Sequence, residues 1–225
     1  MPFKVEVLVP CYQRIEYTRL CIKALEEAQT YDNTLFHLWD DCSGDGSDRI
    51  LQESSLNKRV VINEENLGLR NVLINFLELT SKDTEYICVV GNDCLMPKNW
   101  MNDMLHVMEN SDADILSPNV MPSNAAFKYG RDEGKLYRPS NIVGGLWFMK
   151  RKMIEGMDFT RYKTAGIKGA FEILNQIILD KDPVIGWVPN VTVEDIGHWS
   201  GEHQLHIKSD AHREYSANIG RRVSW

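Results

Sequence analysis

A carboxylate that closes a short apolar run and meets a turn is the first feature of this chain able to do chemistry. Tyr86 to Val90 is such a run, and Gly91-Asn92-Asp93 follows it. At the end of a buried strand, Asp93 can hold a hard divalent cation whose other ligands are diphosphate oxygens and water. A cation there would neutralise charge developing on a departing nucleoside diphosphate. Asn and Asp also suit turns for their own hydrogen bonding, so capping of the turn is a second reading of Asp93.

Asp40-Asp41 repeats the pattern after Phe36-His37-Leu38-Trp39. One carboxylate there can accept from the imide N–H of uracil or thymine, or from a ribose hydroxyl. Alternatively, Asp41 and Asp45 cap the turn and the short helix after it. Asn66-Leu67-Gly68-Leu69-Arg70 brings a helix N-terminus and a cation to one edge, and both suit a phosphate. A solvated helix face is the other place for Arg70. His198, in Gly197-His198-Trp199-Ser200-Gly201, suits a metal or a phosphate. A zinc site with His203 and His206 is not expected, because the spacing fits no finger and no cysteine is near. An attacking hydroxyl needs a general base on the far side of the sugar from the diphosphate. Glu172 is the candidate, with Glu194 and Asp195 as rivals; each is also the kind of acid that a helix's first turn or a solvated loop carries.

The elements that must position these residues follow from periodicity. Val5 to Val9 reads as a buried strand stopped by Pro10. Leu20, Cys21, Ala24, Leu25 and Ala28 recur at helical spacing. Phe36 to Trp39 and Val60 to Ile62 read as further strands, with a brief helix through Ile50 and Leu51 between them. Leu69, Val72, Leu73, Phe76 and Leu77 make the stripe of a third helix. Tyr86 to Val90 is the fourth strand, and Trp100, Met101, Met104, Leu105 and Met108 mark the next helix. This alternation over the first 116 residues predicts an α/β fold: a doubly wound, mostly parallel sheet with helices on both faces. Ligands bind such sheets beyond the carboxyl ends of the strands. Tyr12 to Arg14, Asp40-Asp41, Asn66 to Arg70 and Asn92-Asp93 all fall there. The second half is less regular: a strand over 142–149 broken by Gly144-Gly145, a helix over 170–179 and an extended run over 185–193. With no repeat and no linker, one domain is expected.

The chain has 225 residues, 43% hydrophobic and 25% charged, which suits a globular protein with a substantial core. Its formal net charge of −7 argues against binding nucleic acid by bulk electrostatics, although the segment from Lys208 to Arg222 is mildly basic. No run approaches the roughly 18 apolar residues of a membrane span, and a signal peptide or anchor is not expected. The five cysteines, odd in number and without CxxC spacing, read as reduced thiols of a cytoplasmic protein.

In order along the chain, these motifs resemble glycosyltransferase family 2, the inverting enzymes of the GT-A fold. Val7-Leu8-Val9-Pro10-Cys11-Tyr12-Gln13-Arg14 is similar to that family's first strand and nucleotide loop. Asp40-Asp41-Cys42-Ser43-Gly44-Asp45-Gly46-Ser47 is close to its DDGSxDGS segment, and Asn66-Leu67-Gly68 to its NxG helix start. Val90-Gly91-Asn92-Asp93, with Pro97 and Trp100 behind, is similar to its NND…PGW metal motif. The resemblance implies a nucleotide-sugar-binding half over 1–116 and an acceptor half with a C-terminal tail over 117–225. It implies a nucleotide site of Pro10, Tyr12, Arg14, Asp41, Asn66, Gly68, Arg70 and Asn92, with Tyr12 stacked near the base and Asp41 contacting it. Asp93 would bind Mn²⁺ or Mg²⁺, and His198 would close over the diphosphate.

Two positions depart from the family pattern. Gly91 replaces the first acid of Asp-x-Asp, which rests the metal on Asp93 and His198. Phe171-Glu172 stands where the family's Glu-Asp base motif is expected. The expected activity is a single in-line displacement from a nucleoside-diphosphate sugar, UDP-linked in first choice, onto an acceptor hydroxyl. That acceptor is a glycan or, less favoured, a hydroxylated base in phage DNA. The segment Trp199 to His206 is expected to close over the donor. A non-catalytic nucleotide-sugar-binding or scaffold protein of the same fold is the alternative. A sugar-1-phosphate nucleotidyltransferase is disfavoured, because the loop after the first strand lacks glycine.

Overall fold

In the computed structural model, residues 4–28, 31–121, 146–159 and 170–197 are described, with positions 121, 170–172, 175 and 189 given by backbone alone. Strands β1 (Val5–Cys11), β2 (Thr34–Asp40), β3 (Lys58–Ile62) and β4 (Tyr86–Val90) alternate with helices α1 (Ile15–Glu27), α2 (Ser47–Glu53) and α3 (Leu69–Leu79). A two-residue strand β5 (Cys94–Leu95), helix α4 (Trp100–Glu109) and β6 (Ile115–Met121) follow. The later elements are β7 (Leu146–Lys150), α5 (Ala170–Lys181) and β8 (Ile185–Asp195).

Eight strands form one sheet in the order β3-β2-β1-β4-β7-β6-β8-β5. β1 pairs in parallel with β2 and β4, β2 with β3, and β6 with β8. β7 is antiparallel to β4 and β6, and β5 is antiparallel to β8. Six strands therefore point the same way, and their carboxyl ends share one edge. The pleat sends Val5, Val7 and Val9 of β1 into a core with α1, α2 and α4. Leu8 faces the other core, built with α3 and α5. The sheet is thus doubly wound, as its alternating sequence implies. No helix among the described residues is long and apolar enough to cross a membrane.

β5 has no counterpart in the sequence expectation, and the courses of β1 and β8 differ from it. β1 does not stop at Pro10: it continues to Cys11, with Pro10 opposite Trp39. A proline cannot donate to a ladder, but β4 pairs with β1 only from Val5 to Leu8, so Pro10 sits where one flank of the strand is open. β8 runs on to Asp195, two residues beyond the extended run expected over 185–193. Its pairing with β6 jumps from Pro118↔Val188 to Asn119↔Thr192. This irregularity lies beside Pro118 and Pro189, which withhold ladder donors, and beyond it the strand end pairs with β5.

Candidate active site

The carboxyl edge gathers most of the predicted residues. β1 delivers Tyr12, Gln13 and Arg14 into a loop where Gln13 and Arg14 both adopt positive φ, 54° and 64°. Such backbone is uncommon for side-chain-bearing residues and is held here by neighbouring groups. The Gln13 N–H donates to Ser43 Oγ at 2.8 Å, and the Ile15 N–H donates to Asp45 Oδ2 at 3.0 Å. Asp45 also accepts from the Ser47 N–H at 3.0 Å, so one carboxylate caps the starts of α1 and α2. Between these loops lies an open cleft of about 400 Å³ lined by Gln13, Arg14, Tyr17, Ser43, Gly44 and Asp45.

β2 ends in two buried carboxylates with different partners. Asp40 accepts from the Ser43 hydroxyl and from the Ser43 N–H at 3.2 Å. Burial pushes its carboxyl above the ordinary value, and these hydrogen bonds only partly offset it. Asp41 reaches the other way: Oδ1 accepts from Asn63 Nδ2 at 2.7 Å and the Leu67 N–H at 2.8 Å, and Oδ2 from the Gly68 N–H at 2.8 Å. Asp41 thereby ties the end of β2 to the loop before α3. Gly68, at φ 78°, gives that loop its final turn, and the Asn66 side-chain oxygen Oδ1 accepts from the same Gly68 N–H at 2.9 Å. Arg70 lies half-buried in the first turn of α3.

β4 supplies Asn92 and Asp93. Asn92 Nδ2 donates to Thr18 Oγ1 of α1 at 3.0 Å, which anchors the turn. The Asp93 carboxylate forms an ion pair with Arg14, Nη1 to Oδ2 at 3.0 Å, with side-chain exposures of 23% and 10% respectively. The guanidinium lies 4.0 Å from the centre of the buried Tyr17 ring, a cation–π contact. The end of β8 closes the other side. The Ile196 N–H donates to the Asp93 carbonyl at 2.9 Å, and Asp195 Oδ1 accepts from the Gly197 N–H at 3.0 Å. A methyl group at Gly197 would lie 2.2 Å from Asp93 Oδ2 and 2.7 Å from Arg14 Nη2, so only glycine leaves room for the pair.

Cys21 and Cys94 lie beneath Asp93. Burial raises both thiols, Cys94 well above the ordinary value, and the Asp93 carboxylate adds to it. They are neutral thiols and poor metal ligands. Among the described residues no group of three or more His, Cys, Asp and Glu could hold a metal by itself. A cation that takes one protein oxygen, with diphosphate oxygens and water for the rest, does fit. Among the described residues Asp93 Oδ1 meets only the distant Cys94 thiol, at 4.0 Å, which leaves it the available oxygen.

Pro10, Tyr12, Arg14, Asp41, Asn66, Gly68, Arg70, Asn92 and Asp93 thus share one edge. His198 and the segment from Trp199 to His206 lie outside the described residues, as does the side chain of Glu172. The α5 backbone does bear on Glu172. Lys181 Nζ at the end of α5 donates to the Glu155 carbonyl at 2.7 Å, and β8 begins four residues later. α5 therefore ends at the amino edge of the sheet, and its first turn faces the carboxyl edge. Three features of the site escaped the sequence expectations: the Arg14–Asp93 pair, the helix-capping role of Asp45 toward α1, and Gly197. A glycine directly after a long extended run was the available signal for the last.

The comparisons with known proteins agree with this geometry. Residues 6–181 match the family model described as Glycosyl transferase family 2. The fold is similar to the mannosyltransferase PcManGT from Pyrobaculum calidifontis, solved with GDP-Man and Mn²⁺. That likeness has a TM-score of 0.68 at 17% identity and covers 100% of this chain and 66% of that one. It is also similar to residues 1–349 of TarS from S. aureus, with a TM-score of 0.65 at 17% identity over 85% of this chain and 60% of that one. GalNAc-T7, solved with UDP, GalNAc and Mn²⁺, gives a TM-score of 0.63 at 12% identity over 98% of this chain and 48% of that one. The chain spans two thirds or less of the length of each of these proteins. No curated protein sequence matches it. With the family model matched over most of the chain, and with a doubly wound sheet whose carboxyl edge holds the expected motifs, the chain belongs to glycosyltransferase family 2 and has the GT-A fold.

Proposed function

We propose that this protein is a metal-dependent, inverting glycosyltransferase that moves a sugar from a nucleoside-diphosphate sugar to an acceptor hydroxyl. The observation that carries this reading is Asp93, half-buried at the carboxyl edge beside the cationic Arg14 and the cleft of the β1–α1 loop. Neighbouring folds support a nucleotide-sugar donor: PcManGT was solved with GDP-Man and Mn²⁺, and TarS with UDP and with UDP-GlcNAc. UDP is the first choice of carrier. Pro10, Tyr12, Asp41, Asn66 and Gly68 would shape the nucleoside pocket, with Asp41 fixing the loop before α3. Arg14, Arg70 and Asn92 would face the diphosphate, and His198 would join it from beyond Gly197.

Asp93, with His198, would hold Mn²⁺ or Mg²⁺, which when bound supplies Lewis-acid stabilisation of the departing diphosphate. Glu172 would take the proton of the acceptor hydroxyl as that oxygen attacks the anomeric carbon from the face opposite the diphosphate. The course of α5 supports this choice over Asp195, which lies beside Asp93 on the diphosphate side. The acceptor would be a glycan, with a hydroxylated DNA base as the less favoured case. Residues 1–116 and 117–225 would act as donor and acceptor halves of one domain. Five free thiols suit a reducing, cytoplasmic setting.

Incubation with a panel of UDP-, GDP-, CDP-, TDP- and ADP-sugars, with Mn²⁺ or Mg²⁺, tests the reading through released nucleoside diphosphate and proton NMR of the anomeric product. Metal-dependent release from one donor, with an inverted anomeric centre in the product, is expected. Release from no donor would leave a nucleotide-sugar-binding protein of transferase fold, and retained configuration would contradict the displacement.

A further inference from the structure

We propose that Arg14 is an internal counter-ion that holds down the affinity of Asp93 for divalent cations until a diphosphate draws the guanidinium away. The proposal rests on the reading of Asp93 as the metal carboxylate and adds how that site is regulated. Three observations carry it.

The first is charge. Gly91 stands where a second acid would be, so Asp93 is the carboxylate this turn contributes, and Arg14 already neutralises it at 3.0 Å. A divalent cation approaching the free Oδ1 meets a pair with no net negative charge, so it is held weakly while the guanidinium stays in place.

The second is shape. The pair is clamped between the Tyr17 ring, 4.0 Å from the guanidinium, and the backbone of Gly197. Space for it depends on the missing side chain at 197, where a methyl carbon would lie 2.2 Å from Asp93 Oδ2. The contact is therefore built from both ends of the fold, by the β1–α1 loop and by the end of β8.

The third is an unsatisfied donor. Arg14 Nε is buried without an acceptor among the described residues, although its neighbour Nη1 is bonded. A buried N–H without a partner is a standing cost, so pairing with Asp93 does not exhaust what this guanidinium can bind. A diphosphate offers several oxygens and can accept from both Nε and an Nη in a fork that one oxygen of Asp93 does not supply. Diphosphate binding would thus complete Arg14 and release Asp93 in one movement. Because coupling between sites is reciprocal, metal and diphosphate would each raise the affinity for the other.

Free Mn²⁺ measured by its paramagnetic resonance signal tests this without any turnover. Mn²⁺ is titrated into wild type, Arg14→Gln, Arg14→Lys, Asp93→Asn and the double variant Arg14→Gln/Asp93→Asn, each alone and with saturating UDP or GDP. Arg14→Gln is expected to tighten nucleotide-free Mn²⁺ binding about tenfold and to reduce the nucleotide–metal coupling by a similar factor. Arg14→Lys, which keeps a cation, stays near wild type, and Asp93→Asn removes the gain. Equal Mn²⁺ affinity in wild type and Arg14→Gln, with weaker binding in Asp93→Asn, overturns the counter-ion while leaving the metal carboxylate standing. Mn²⁺ binding indifferent to Asp93→Asn in both backgrounds overturns the metal carboxylate itself. If circular dichroism shows that Arg14→Gln is unfolded, Arg14→Met, which keeps an apolar stem over Tyr17, takes its place with the same expectations.

Discussion

Asp93 and Arg14 are 79 positions apart in the chain, yet the second defines the electrostatics of the first. The sequence marks Asp93 as a strand-end carboxylate, but it cannot say whether the charge is free or paired, because pairing depends on where the β1–α1 loop turns. That turn depends in turn on two residues at positive φ and on Ser43 and Asp45 from the next loop. Gly197 belongs to the same scale. The atoms that an added methyl group would strike are the ends of the Asp93 and Arg14 side chains, not backbone, so the fold can accept Gly197→Ala while the pair cannot. Gly197→Ala is therefore expected to lower donor turnover at least about tenfold with a melting temperature within a few degrees of wild type. A large fall in melting temperature, or unchanged turnover, would contradict the role given to Gly197.

At the level of elements, Asp41 is the fastener between β2 and α3. The residue is 3% exposed, and its carboxylate accepts one side-chain and two backbone N–H groups. Asp41→Ala would leave those donors unmet, a loss of about 2–3 kcal/mol, and would speed amide exchange at Leu67 and Gly68. Protection at those two amides unchanged by the substitution would show that the loop is held by something else. Much of this scaffold is legible from periodicity: β4 and α4 stand where the apolar spacing puts them, and so do the stripes of α1 and α3 except for Leu20 and Leu69, which face solvent at the start of each stripe. What escaped has physical causes. β5 has two residues, too few to show any alternation. β1 outlasts Pro10 because its β4 neighbour ends early, a fact of register rather than of local sequence. The irregularity of β8 comes from pairing with a strand some seventy residues earlier, which no local window contains.

For the whole molecule, the sheet is tied together at the edge away from the cleft by a buried network around Glu6. Glu6 Oε2 lies 2.6 Å from His37 Nε2 of β2, while Oε1 accepts from the Thr84 hydroxyl at 2.5 Å and the Ser81 N–H at 2.8 Å. Burial pushes the Glu6 carboxyl up, but the hydrogen bonds from His37, Thr84 and Ser81 outweigh it and hold the group below the ordinary value. A depressed folded value means that Glu6 stabilises the fold above the unfolded value of 4.5 and that this share is lost as pH falls through the folded one. Urea unfolding of Glu6→Gln should therefore show a protein less stable than wild type at about pH 7 that loses less stability than wild type between about pH 5 and 3. Parallel losses in the two proteins would contradict the linkage.

The opposite edge carries the central claim, that Asp93 anchors a metal-dependent nucleotide-sugar site. The most direct measurement is isothermal titration of UDP, GDP, CDP, TDP and ADP into wild type and Asp93→Ala, with and without Mn²⁺. One nucleotide is expected to bind in a Mn²⁺-dependent manner, and Asp93→Ala to lose this dependence. Binding that ignores both Mn²⁺ and Asp93, or no binding by any of the five, would contradict it.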